Sequence, residues 1–89
     1  MTESEVQISN RLGLHARAAA RFVHLANRFS CRITVVKDGT RVDGKSILGL
    51  LTLAAARGTR LRLAAEGDDE KEAVESLADL VRSRFGEED

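Results

Sequence analysis

The sequence predicts a two-layer α/β domain of the α+β kind, an open-faced sandwich in the order βαββαβα. It has a four-stranded, mostly antiparallel sheet with three helices on one face. Three observations predict it. Three short segments carry apolar residues at every second position, the mark of half-buried strands. Three other segments carry apolar residues at helical spacing. An Asp38-Gly39 pair joins two of the strands as a two-residue hairpin, because both central positions of a type I′ turn need positive φ. One amphipathic sheet face covered by helices is the natural way to bury both.

The elements follow in order. Val6 and Ile8 alternate with Glu5, Gln7 and Ser9 in a first strand, and Asn10 to Leu14, with Gly13, reads as a loop. Ala16 to Arg28 is the first helix, with Ala18, Phe22, Leu25, Ala26 and Phe29 on its apolar stripe. Arg32 to Lys37 and Thr40 to Asp43 are the two strands of the hairpin. Ser46 suits an N-cap, since its hydroxyl can accept from a free N–H of the first turn. A short helix over 47–53 follows, with an extension through Ala54–Ala56 open and Gly58 as its stop. Arg60 to Glu66 alternates Leu61, Leu63 and Ala65 with Arg60, Arg62 and Ala64, a fourth strand. Gly67-Asp68-Asp69 supplies a turn and N-cap for a last helix from Glu70 to Phe85. Its stripe is Ala73, Val74, Leu77, Leu80, Val81 and Phe85, and early Glu70 and Glu72 with late Arg82 and Arg84 complement its dipole.

Composition bounds the function. Residues 1–89 make a single domain. A chain this short buries roughly 60–65% of the surface its unfolded form exposes, enough for one thin core but not for a deep substrate cavity. Chemistry is therefore expected at the surface, with a partner. There is no run of eighteen apolar residues to insert in a membrane, and MTESEVQISN lacks the basic and apolar regions of a signal peptide. One cysteine, Cys31, forms no internal disulfide, which also favours the cytoplasm. The net charge of zero hides an asymmetry. Residues 1–65 hold eleven basic and four acidic side chains, and residues 66–89 hold three and ten. The basic half suits an acidic protein; with Tyr and Trp absent and the three Phe forming no stacking pattern, a nucleic-acid-binding module fits less well.

The residues that can carry chemistry gather at His15. It stands where the glycine-containing loop meets the first helix. Helix-start N–H groups lack internal partners and carry partial positive charge, so they stabilise an anion and disfavour a protonated imidazole. Arg17, two residues on, can return its guanidinium to pair with phosphate oxygens. No Asp or Glu flanks the pair as a general base, which fits phosphoryl acceptance from an activated donor. The other candidates read as structural. His24 falls roughly 13 Å along the helix from His15, on the opposite face, too far to share a metal. Cys31 reads as a small, partly buried hydrophobe. The acids at 66–72 read as a solvated turn and helix start, and the Ile47–Leu53 run is too apolar to be wholly buried on one face.

The segment Asn10-Arg11-Leu12-Gly13-Leu14-His15-Ala16-Arg17-Ala18-Ala19 resembles the active-site signature of HPr, the histidine phosphocarrier family of the bacterial phosphoenolpyruvate:sugar phosphotransferase system. Gly44-Lys45-Ser46-Ile47-Leu48-Gly49-Leu50-Leu51 resembles the family's second motif, at the family's separation. The resemblance implies that His15 takes a phosphoryl group on Nδ1 from enzyme I and passes it to a IIA component, steadied by Arg17 and the backbone of Ala16, Arg17 and Ala18. Ser46 matches a serine phosphorylated by a dedicated HPr kinase/phosphorylase, and Ile47, Leu48 and Leu51 match an apolar docking patch. It implies a monomer, without cofactor or metal, that is modified by other enzymes and is not itself a catalyst. The runner-up is a regulatory protein of the same fold, controlled at Ser46. Two departures stand out. The family usually has proline where this chain has Ala18, so one more N–H is kept at the helix start. It commonly has glycine where this chain has Ala54, a change expected to lengthen the second helix.

Overall fold

The computed structural model describes residues 1–87. The chain runs β1 (Thr2–Gln7), α1 (Ala16–Ala26), β2 (Arg32–Lys37), β3 (Thr40–Asp43), α2 (Ile47–Thr52), β4 (Arg60–Glu66) and α3 (Glu70–Arg82), followed by a 3₁₀ turn (Arg84–Gly86). The four strands form one sheet in the order β1-β4-β2-β3, with every pairing antiparallel. Register sets the faces: Val6 lies opposite Leu61, Val35 opposite Leu63 and Ile33 opposite Ala65, all on the buried side. Against them pack Ala18, Ala19, Phe22, Val23 and Ala26 of α1, with Ala73, Val74, Leu77, Ala78 and Val81 of α3. Fully burying one of the large side chains contributes about 1.5–3 kcal/mol, so this single layer of apolar contact holds the fold. The opposite sheet face, with Glu3, Glu5, Arg60 and Arg62, is open to solvent. In the β2–β3 hairpin Asp38 (φ 48°) and Gly39 (φ 84°) take the positive φ of the expected turn.

The helix ends differ from expectation, each for a local reason. The first helix stops at Ala26 and not Arg28, because Arg28 N–H and Phe29 N–H turn to carbonyls three residues back. Phe29 therefore packs on the core from the following turn. The second helix stops at Thr52: Leu53 and Ala54 N–H also bond three residues back, and Ala54 then swings to φ 50°. The Lys37 ammonium caps this end by donating to the Leu53 carbonyl at 2.8 Å. Alanine at 54 thus does not lengthen the helix, and Gly58 serves the turn before β4. The third helix ends at Arg82, and Phe85 is buried from a left-handed turn. In α3, Ala78 fills the core stripe and Leu80 sits only at its edge.

The acids at 66–72 are not simply solvated. Asp69 makes no cap bond to its own helix; its carboxylate accepts from Ser30 N–H at 2.9 Å and Cys31 N–H at 3.0 Å, tying α3 to the start of β2. Those donors, Ser30 N–H first, hold the Asp69 carboxyl below its ordinary value. Glu70 accepts from the Thr2 hydroxyl at 2.6 Å and Gly67 N–H at 3.2 Å, and pairs with the N-terminal ammonium at 3.1 Å. The Thr2 bond, followed by the other two partners, pulls its carboxyl down to about 2.

Candidate functional site

The start of α1 is set by the loop before it. Gly13 adopts φ 70°, and a Cβ there would come within 2.6 Å of the Ala55 carbonyl oxygen. Leu14 N–H donates to that same oxygen at 2.8 Å. The loop is therefore pressed onto the segment after α2, and glycine is required both for the backbone angle and for the approach.

His15 is the N-cap of α1. Its backbone is extended (φ −82°, ψ 179°), and its carbonyl accepts the first helical bond, from Ala19 N–H at 2.8 Å. The ring does what a serine or aspartate usually does at this position: Nδ1 accepts from Arg17 N–H at 3.3 Å. An accepting Nδ1 carries a lone pair, so the neutral ring has its proton on Nε2. Nε2 faces the Glu87 carboxylate, with Oε2 at 2.5 Å. The lone pair thus points at a helix start whose first three N–H groups, those of Ala16, Arg17 and Ala18, have no intrahelical acceptor. The His15 side chain keeps 26% of its surface open, with both ring nitrogens engaged by the chain itself. The Arg17 side chain is exposed beside it.

Glu87 corrects the expectation that no carboxylate stands by His15. It is 72 residues away in sequence, which no local spacing could reveal. Its other oxygen accepts from Asn10 Nδ2 at 2.9 Å, and the same amide nitrogen donates to the Gly13 carbonyl at 2.7 Å. The His15 bond first, then the Asn10 bond, hold the Glu87 carboxyl below its ordinary value.

Ser46 caps α2, its Oγ accepting from Gly49 N–H at 3.0 Å. Leu50 is buried in the core, whereas Ile47, Leu48 and Leu51 are 41%, 74% and 37% exposed. Those three share one helix face, being one, three and four residues apart. Leu12, in the loop before His15, is 62% exposed; the sequence reading did not single it out. The structure brings His15 together with the backbone of Ala16, Arg17 and Ala18, and it places Ser46 and the apolar patch on α2, which packs against α1. His24 is exposed and Cys31 buried. Burial, followed by Asp69, pushes the Cys31 thiol up. Among the described residues no cluster of three or more His, Cys, Asp or Glu is placed to hold a metal ion. Concavities of about 600, 440 and 710 Å³ lie over the outer sheet face and its edges, and His15 lines none of the three. No helix among the described residues is long and apolar enough to cross a membrane.

Fold and site define a small open-faced sandwich that carries a histidine ring at the start of its first helix. Residues 2–83 match the family model described as PTS HPr component phosphorylation site. The chain is 47% identical over 87 residues to the phosphocarrier protein HPr of Neisseria meningitidis, covering 98% of each. It is 46% identical to the HPr-like protein Crh of Bacillus subtilis, covering 92% of this chain and 96% of that one. The crystal structure of HPr-C-His from Thermoanaerobacter tengcongensis superposes with a TM-score of 0.95 at 50% identity, covering 99% of both chains. The chain belongs to the HPr family, the phosphocarrier proteins of the phosphotransferase system. Members of this family carry a phosphoryl group for other enzymes and are not themselves catalysts.

Proposed function

We propose that this domain accepts a phosphoryl group on His15 Nδ1 from phosphorylated enzyme I and passes it to a IIA component. The observation that carries the reading is the direction of the Nδ1 lone pair, onto the Arg17 N–H at the start of α1, between the N–H groups of Ala16 and Ala18 that have no intrahelical acceptor. As the bond from Nδ1 to phosphorus forms, the bond to the donor breaks and its electron pair leaves with the donor. The phosphoryl oxygens then meet the N–H groups of Ala16, Arg17 and Ala18 and the positive end of the helix. With donor and acceptor groups already activated, positioning and charge neutralisation suffice. The whole of residues 1–89 acts as one domain, in the cytoplasm, as a monomer and without a cofactor.

Incubation with enzyme I and phosphoenolpyruvate is the test. An acid-labile label, as a phosphoramidate should give, is expected on His15 and absent from His15→Ala. Label on His24, or label retained by His15→Ala, refutes the assignment.

A second reading makes Ser46 a regulatory site for a serine kinase/phosphorylase. It is favoured by the position of Ser46 at the edge of the exposed Ile47, Leu48 and Leu51 patch, the surface proposed to dock enzyme I. Phosphorylation there adds about −1.5 to −2 charges at a helix start, where they do not unfold the helix. Ser46→Asp should therefore slow transfer from enzyme I at low salt, and the effect should fade as salt rises. Equal rates at low salt leave Ser46 as a helix cap.

A further inference from the structure

We propose that Glu87 is the positioning residue of the His15 site: its carboxylate takes the Nε2 proton of the ring into a hydrogen bond and so holds the Nδ1 lone pair on the start of α1. This role rests on the phosphocarrier reading of His15.

A sharp bend after α3 brings Glu87 there. After α3 ends, Arg84 (φ 61°), Phe85 (φ 55°) and Gly86 (φ 78°) all lie in the left-handed region. Glycine takes such angles freely, but an arginine and a phenylalanine in succession do not. Conformations of this kind persist only where the surroundings over-determine them, and they gather at functional sites. Here Phe85 is buried in the core, and the Arg21 guanidinium donates to the Phe85 carbonyl oxygen. Glu87 follows at once and is held from two sides, by His15 Nε2 at 2.5 Å and by Asn10 Nδ2 at 2.9 Å. Asn10 is fully buried, and its own Oδ1 has no partner among the described residues. The amide thus keeps its donor end on Gly13 and Glu87 at the cost of an unsatisfied acceptor.

The chemistry gives this contact a use. A neutral imidazole has one N–H, and the bond made at one nitrogen decides which lone pair is free at the other. With Nε2–H on Glu87, Nδ1 holds the lone pair, which attacks phosphorus as it gives up its 3.3 Å contact with the Arg17 N–H. When the N–P bond forms and the donor's bond breaks with its electron pair, the ring keeps the Nε2 proton and gains positive charge. The carboxylate already faces that charge, so no proton has to move. On transfer to the acceptor the N–P pair returns to Nδ1 and the ring is neutral again. A carboxylate that orients a histidine and meets its developing charge without taking the proton is a known arrangement in acyl transfer.

The test uses the full chain and potassium phosphoramidate as a chemical donor, from which the P–N bond breaks and ammonia leaves. Wild type, Glu87→Gln and Glu87→Ala are compared by ³¹P spectra for the rate of phosphohistidine formation, and by ¹H–¹⁵N spectra of the imidazole. An about tenfold slower rate is expected for Glu87→Ala, equivalent to about 1.4 kcal/mol of barrier, with Glu87→Gln in between. A His15 Nε2 proton protected from exchange in wild type should lose its protection in Glu87→Ala, which anchoring of the chain end at some other point would not produce. Asn10→Ala, which leaves the carboxylate charge in place, should loosen the same proton. Equal labelling rates in the three folded proteins overturn the role of Glu87 alone. No label on His15 in wild type overturns the phosphocarrier reading and this role with it.

Discussion

At the scale of single residues, the site divides its work between backbone and side chain. The backbone N–H groups of Ala16, Arg17 and Ala18 are fixed by the helix itself, and that of Arg17 donates to His15 Nδ1. The Arg17 guanidinium is exposed, and under the proposed function it is drawn in by the phosphoryl charge. Removing it should therefore leave the fold intact and lower only the transfer rate. A charge-assisted bond to phosphate is worth about 1.5–3 kcal/mol. If it is fully expressed in the transition state, Arg17→Ala should slow phosphoryl transfer roughly ten- to a hundredfold. Stopped-flow transfer from enzyme I with an unchanged melting curve checks this, and unchanged kinetics would reject it. The setting of His15 and Arg17 was legible in the sequence because it is local: a helix start, a glycine loop and a single residue, Ala16, between them. Glu87 was not, because its approach depends on where α3 ends and on three consecutive left-handed residues.

At the scale of elements, the second and fourth strands lie where period-two alternation puts them, since each buries one face, and the third lies where the Asp38-Gly39 hairpin puts it, with only Val42 partly buried. Helix ends were less legible. Periodicity runs on past the last helical bond, as with Phe29 and Phe85, which remain on the core without remaining in a helix. Ala54 shows the physics most directly. It takes φ 50° on an exposed turn, where a left-handed conformation costs a non-glycine residue about 1–2 kcal/mol. Glycine would remove that strain, but it has more freedom to lose from the unfolded chain, worth about 0.4–1 kcal/mol. The balance favours the native state of Ala54→Gly by about 0.5–1 kcal/mol. Urea unfolding should show a higher midpoint with an unchanged slope. A lower midpoint would mean that Ala54 is unstrained.

At the scale of the whole molecule, part of the acidic C-terminal stretch is put to use by folding. The acidic stretch after residue 65 sends three carboxylates back across the basic part: Asp69 to the start of β2, Glu70 to the first two residues and Glu87 to His15. Sequence reading took the acids at 66–72 as solvated because their partners are backbone N–H groups, a hydroxyl and the chain's own ammonium, none of which a charge count reveals. Each of the three carboxyls is held below its ordinary value, so each binds its proton less readily in the folded chain than in the unfolded one. Stability from such groups is present above the unfolded value and is lost as pH falls through the folded one. For Glu70 that window runs from its ordinary 4.5 down to about 2. Glu70→Gln cannot lose a charge it does not have. At neutral pH it should melt below wild type, because the bonds from Thr2, Gly67 and the terminus are weakened. As pH falls from about 5 toward 2 the two melting temperatures should converge, since wild-type Glu70 then becomes protonated as well. Thermal unfolding of both proteins across that range reads the difference directly. A gap that stays constant with pH would mean that Glu70 holds β1 to α3 by shape and neutral hydrogen bonding, with its charge contributing nothing.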